Sequence, residues 1–325
     1  MTKLVGHDDP VAALMDAAHD DRLHHAWLLT GPRGVGKALF ADLAARRLLA
    51  EAAGPQFDLP GLCVPEGHPI AALVNAGSHP DLIRLERIRD EKTGERARNI
   101  AIDQVRGLQR LFSTTGGFSS RRIVIIDAID DLERGAANAL LKNLEEPPQG
   151  SIFLLVSHAP GRLLPTIRSR CRILRFQPLG DDVMRAVLQA ELPDADDAEI
   201  GALLRAGEGA PGRALAFAGL GIAEMDAVID RLINEGDPTN AARIKLARSL
   251  GIKSAQPRYE AFLERVPNRI ADHARMLTGP ALANAVQRWE EARILAGAAV
   301  PQSFDQQATV FALAGMLAAL APAAK

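Results

Sequence analysis

The sequence predicts an α/β protein built on a doubly wound parallel sheet and completed by a wholly helical C-terminal part. Five short strand candidates alternate with helix-patterned stretches, which is the rhythm of parallel strands joined by crossover helices. The first run opens straight into a glycine-rich turn that itself opens into a helix. Beyond residue 179 the strand pattern stops and only helical periodicity remains. With 325 residues and 47% apolar side chains, the chain is long enough for two or three domains with real cores.

The elements follow in order. Ala26 to Thr30, AWLLT, is the first strand, and Gly31 to Ala38, GPRGVGKA, is the turn after it. Leu39 to Ala50 is mostly Ala and Leu, as expected of a helix packed on a sheet. Residues 51 to 80 are rich in Pro and Gly and have no assigned role. Leu82 to Glu86 is the second strand. The run RIRDEKTGERARN that follows, residues 87 to 99, mixes both charge signs densely and reads as a solvated loop or hairpin, with a DNA or partner contact as the other reading. Ile123 to Asp127 is a continuous apolar run ending in a carboxylate, as expected of a central strand buried on both faces. Asn138 to Glu146 puts Leu140, Leu141 and Leu144 on one helical face, and Pro147-Pro148 ends it. Ile152 to Ser157 and Arg172 to Phe176 are the fourth and fifth strands. The segments DDVMRAVLQAEL, DDAEIGALLRAGEG and PGRALAFAG read as three helices opened by Asp or Pro. From about Ile222 onward the sequence is Ala- and Leu-rich helix.

The glycine turn carries the most chemistry. Gly31, Gly34 and Gly36 allow positive φ and close approach of backbone N–H groups to phosphate oxygens, and Lys37 is spaced to reach the β- and γ-phosphates of a nucleotide. Asp127 ends the third strand where such a site needs a carboxylate for the metal. Two reacting groups are missing. Ala38 stands where a Ser or Thr hydroxyl would ligate Mg²⁺, and Ala128 stands beside Asp127 where an acid would polarise the attacking water. The site reads either as a weak ATP or ADP site without hydrolysis or as a tight strand-to-helix turn that binds nothing.

Three stretches resemble the clamp-loader branch of the AAA+ superfamily, and within it the δ′ type of bacterial DNA polymerase III subunit. They are HHAWLLTGPRGVGK, NALLKNLEEPP, and IFLLVSHAPGRLLPTIRSRC with its Ser169-Arg170-Cys171 triplet. The likeness covers roughly residues 4 to 215. It implies a nucleotide-binding-like core over 1–178 with degenerate phosphate-loop motifs, a helical lid over 179–220 and a helical oligomerisation collar over 221–325. It also implies that Arg170 is an arginine finger reaching the γ-phosphate on a neighbouring subunit, with Ser169 and Cys171 as its motif neighbours. Ser157 falls where a polar γ-phosphate sensor stands, and Arg213 where a lid carries a second sensor; a capped turn and a merely structural arginine are the other readings. The implied partners are the γ or τ and δ subunits, and through the complex the β clamp and primed DNA, with the subunit a largely ATPase-silent component of a DNA polymerase holoenzyme. A hydrolysing γ/τ-type motor is the alternative, opposed by Ala38 and Ala128.

The formal charge of −2 excludes a strongly basic nucleic-acid protein, so any DNA contact needs a local patch or a partner. MTKLVGHDDP has no apolar leader core and no stretch approaches a membrane span, which predicts a cytoplasmic protein without membrane partners. Two cysteines, Cys63 and Cys171, make no disulfide framework. Relatives of this branch often carry a four-cysteine zinc module after the first helix. Here only Cys63, His68 and His79 stand in that region, without the paired spacing that zinc requires, so no zinc is expected.

Overall fold

The computed structural model describes residues 4–20, 22–89, 97–113 and 119–322. The chain divides into two compact units, one of residues 1–183 with 209–212 and the other of residues 184–208 with 213–325.

The first unit is the α/β part. Its elements are α1 (Asp8–His19), β1 (Ala26–Thr30), α2 (Lys37–Ala52), α3 (Pro69–Asn75), β2 (Leu82–Glu86), α4 (Ile102–Ser113), β3 (Arg122–Asp127), α5 (Arg134–Glu145), β4 (Ser151–Ser157), α6 (Pro165–Arg168) and β5 (Arg172–Arg175). All five strands pair in parallel in the order β2-β3-β4-β1-β5. The expected doubly wound sheet is therefore present, with strand bounds within a residue of those the apolar runs predict. β1 and β4 are buried along their whole length, since each has a strand on both edges and helices on both faces.

Alternation along the strands splits the core in two. Trp27 and Leu29 of β1, Ile123 and Ile125 of β3, and Leu154 and Val156 of β4 face α1 and α2, where Leu14, Phe40, Leu48 and Leu49 meet them. Leu28, Val124, Ile126, Phe153 and Leu155 face the other way, onto Val105 and Leu108 of α4 and Leu140 and Leu144 of α5. Of the leucines expected on that helix face, Leu140 and Leu144 are fully buried and Leu141 packs at the margin. α5 starts at Arg134, four residues before the predicted start, because Ala136 is already needed in the core. In the mixed-charge run, Ala97 N–H donates to Ile88 O at 2.7 Å; residues 90–96 lie outside the described residues.

The second unit is helical: most of α7 (Asp181–Glu191), then α8 (Asp197–Gly207), most of α9 (Pro211–Ala216), and α10 (Ile222–Glu235), α11 (Ala241–Leu250), α12 (Gln256–Ala274), α13 (Gly279–Ala299) and α14 (Gln306–Ala318). Asp196 caps α8 by accepting from Glu199 N–H at 2.8 Å. α8 packs on α10, and α14 packs on α10, α11, α12 and α13. A buried bidentate pair joins α12 to α10, Arg265 Nε and Nη2 donating to the two Asp226 oxygens at 2.6 and 2.5 Å.

Candidate functional site

The glycine turn sits at the C-terminal end of β1, where a doubly wound sheet offers its crevice. Gly31, Gly34 and Gly36 all have positive φ, at 152°, 81° and 115°. At Gly31 a Cβ would stand 2.3 Å from Phe176 O, so no side chain fits. Gly36 is the N-cap of α2, which puts Lys37 in the first turn of that helix and Ala38 directly behind it. Four carbonyls of the loop are bonded within the chain. Lys37 Nζ donates to Gly31 O at 2.6 Å and Pro32 O at 2.5 Å, Gly212 N–H donates to Gly34 O at 2.8 Å, and His7 Nε2 donates to Val35 O at 2.7 Å.

Lys37 is 2% exposed, and burial lowers its pKa to about 8 against the opposing pull of Asp130 and Asp127. Asp127 closes β3, with Oδ2 3.5 Å from Arg84 Nη1; Arg84 also pairs with Asp42. Ala128 beside it is buried and carries no acid. Ser157 ends β4 fully buried, and its hydroxyl donates to Asp130 Oδ1 at 2.9 Å. Asp130 also accepts from His158 N–H at 2.6 Å and Ala159 N–H at 3.2 Å. His158 keeps a solvent-facing surface but is packed closely on its inner side. That packing lowers its pKa first, then Lys37 and Arg33 do, against Asp130 and Asp127. Lys37, Asp127, Asp130, Ser157 and His158 thus form one cluster across the ends of β1, β3 and β4. Asp130 and His158 were not among the residues expected from sequence. Their signals were the acidic pair after Ala128 and the histidine after Ser157.

The Ser169-Arg170-Cys171 triplet follows α6 and folds back on it. Ser169 Oγ donates to Thr166 O at 3.1 Å, Arg170 Nη1 to the same oxygen at 2.9 Å, and Cys171 Sγ to Ile167 O at 3.1 Å. Arg170 Nη2 lies 2.8 Å from Glu145 Oε1 at the end of α5, so the guanidinium bridges the two sequence motifs. Its side chain remains about a third exposed (35%). Burial pushes the Cys171 thiol up to about 12. These contacts involve none of the cluster around Lys37. Arg213 belongs to the helical unit, where Nε and Nη1 meet Glu264 at 2.7 Å and Glu208 at 2.9 Å. Cys63 is exposed and His68 Nε2 donates to Pro55 O at 3.2 Å. Among the described residues no group of His, Cys, Asp and Glu has the geometry to hold a metal ion, and no helix is long and apolar enough to cross a membrane.

The family model described as DNA polymerase III, delta subunit, matches residues 6–180, more than half of the chain. A DNA polymerase III subunit delta′ of Pseudomonas aeruginosa is 37% identical over 209 residues, 63% of this chain and 59% of that protein. The delta′ subunit of Bacillus subtilis is 38% identical over 167 residues, covering 51% and 46%. The gamma/tau subunit of Mycobacterium tuberculosis is 33% identical over 213 residues, covering 64% and 35%. The match thus spans between about a third and three fifths of these relatives' length. With the glycine turn, both leucine- and arginine-bearing motifs and the parallel sheet all inside the matched stretch, the chain belongs to the DNA polymerase III delta-subunit family, among subunits of the delta′ type.

Proposed function

We propose that this chain works as a δ′ subunit of a clamp loader, with little or no ATP hydrolysis of its own, and that Arg170 completes the ATP site of a neighbouring γ or τ subunit. The assembly, with δ included, would load the β clamp onto primed DNA. One observation carries this reading. Lys37 in the first turn of α2 and Asp127 at the end of β3 stand as they would in a phosphoryl-transfer site, while the residues beside them, Ala38 and Ala128, supply neither a metal ligand nor an acid. A subunit in that condition contributes to turnover by what it presents to others. The loop itself would hold ATP or ADP weakly at most, since phosphate oxygens would have to draw Lys37 off Gly31 O and Pro32 O.

A guanidinium suits the trans role because it is always charged and planar, and so stabilises charge that develops on a transferring phosphoryl group. In the same reading residues 179–220 act as a lid, Ser157 and Arg213 act as vestigial sensors, and residues 221–325 form the collar that joins other subunits. The alternative, a hydrolysing γ/τ-type motor, lacks its reacting groups at positions 38 and 128.

The test is a reconstituted complex with wild-type or Arg170→Ala chain, assayed for clamp- and DNA-stimulated ATPase. The variant complex should assemble and lose at least about tenfold in turnover, arginine fingers being worth about 10³ to 10⁵ in comparable enzymes. Arg170→Lys should not restore it fully, because a point charge lacks the fork. Unchanged turnover would remove the finger role. The isolated chain should hydrolyse ATP no faster than its Lys37→Ala variant, and clear Lys37-dependent turnover would favour the motor instead.

A further inference from the structure

Two neighbouring arginines on α2 are equally buried and differently treated. Arg47, 4% exposed, donates to Glu51 Oε1 at 2.7 Å, Leu59 O at 2.9 Å and Cys63 O at 2.6 Å, and lies over the Phe57 ring. Arg46, 7% exposed, has no hydrogen bond or ion pair among the described residues, and its Nε is fully enclosed without an acceptor. Burying a charge without a partner is costly. A lysine could escape by giving up its proton, but a guanidinium stays charged at any physiological pH. Such a group is tolerated where something brings it an anion.

The space around Arg46 fits that need. It lines a cavity of about 810 Å³ between α1, α2 and the segment at residues 60–63, and also a smaller one of about 220 Å³ beside residues 64–75. The larger cavity is walled by Leu4, Val11, Met15, Leu43 and Leu62, and its volume is that of a small-molecule site. Asp8 and Asp16 stand at its exposed rim. They would repel a dianion such as phosphate more than a single charge held deep on the guanidinium. The fork geometry matches a carboxylate bidentately.

We propose that the α1–α2 cavity is a binding site for a small-molecule monocarboxylate with an apolar body, the carboxylate pairing with Arg46 and the body lying along Val11, Met15, Leu43 and Leu62. The site lies within the α/β unit and shares no residue with the cluster around Lys37 or with Arg170. It adjoins the glycine turn through His7, which lines the cavity and donates to Val35 O.

The experiment titrates the full chain with decanoate, with decan-1-ol, and with a short peptide ending in a free leucine carboxylate, by calorimetry and thermal melting. Decanoate should bind one per chain and raise the melting midpoint, with decan-1-ol at least tenfold weaker. Arg46→Met should abolish the decanoate effect and, without ligand, melt higher than wild type because the unpaired charge is gone. Leu62→Trp, which fills the cavity and leaves Arg46 in place, should also abolish binding. The proposal is overturned if decan-1-ol binds as well as decanoate, if either variant binds decanoate like wild type, or if Arg46→Met melts lower without ligand. Binding of the peptide but not of decanoate overturns it too, in favour of a protein terminus.

Discussion

Arg170 is held by a carboxylate of its own chain, and a finger that acts on a neighbour has to leave that partner. The pair is half in solvent, and such exposed ion pairs contribute no more than about 1 kcal/mol. Glu145 is therefore a light restraint that the greater negative charge of a nucleotide phosphate would overcome. Replacing it should bias Arg170 toward release. We expect Glu145→Gln to raise the unstimulated ATPase of the reconstituted complex by no more than about fivefold, the factor that 1 kcal/mol allows, and the rise should vanish in the Glu145→Gln/Arg170→Ala double variant. Lys37 gives a second residue-level expectation. Its pKa falls from 10.5 to about 8 on folding, so the folded chain binds fewer protons than the unfolded one between those values. Stability should therefore climb with pH across roughly pH 8 to 10.5, and the cost of burying the ammonium should be felt in full below pH 8. In Lys37→Met that climb should be flatter, as read from urea midpoints of the two proteins across the window. An equal slope in both would mean that the ammonium is better solvated than its 2% exposure implies.

At the scale of elements, Asp130 gathers the turn after β3 and the end of β4 into one bonded piece through Ser157 Oγ and two backbone N–H groups. Asp130→Ala leaves three donors without their acceptor and should cost about 1–3 kcal/mol in a denaturant titration. Gly31→Ala should cost at least as much, because its Cβ would meet the backbone oxygen of Phe176 rather than a side chain that can turn away. β1, β3 and β4 were legible because each carries an unbroken apolar run, and a strand walled on both faces has no polar side to confuse the pattern. β2 and β5, at the sheet edges, carry Arg84 in one and Arg172 and Arg175 in the other, and were legible from the Leu and Ile between them. α5 was only partly legible. Arg134 and Gly135 break the leucine pattern, although Ala136 behind them is buried. α1, α3 and α4 passed unread for different reasons. DDPVAALMDAAH has a proline in its first turn, PIAALVN makes two turns inside a proline-rich stretch, and IDQVRGLQRLFS carries a glycine at its centre. Within the site, the glycines and Lys37 follow a spaced pattern that one sequence can display. Asp130 and His158 acquire partners only when β3 and β4 lie side by side, and Glu145 meets Arg170 across 25 residues because α6 packs on α5.

For the whole molecule, the two compact units do not follow one cut in the sequence, since residues 209–212 belong with the first and are flanked on both sides by the second. A chain ending at residue 220 would keep α8 and lose α10, which packs on it, baring apolar surface between the two helices. We expect 1–220 to retain the α/β fold, to bind a hydrophobic dye that the full chain does not bind, and to fail to enter the reconstituted complex, whereas 221–325 should compete with the full chain for it. Dye fluorescence and light scattering of the mixtures would check both, and entry of 1–220 with full affinity would remove assembly from the C-terminal helices. The two thiols differ as sharply as the two units. Cys63 is exposed, whereas Cys171 is tied to Ile167 O and pushed up to about 12, so only about one Cys171 in ten thousand is thiolate at pH 8. A maleimide dye should therefore mark the native chain once, at Cys63. That single mark would sit on the lining of the α1–α2 cavity, where its emission can register filling directly, and counting bleaching steps per assembly would give the number of copies of this chain in each complex.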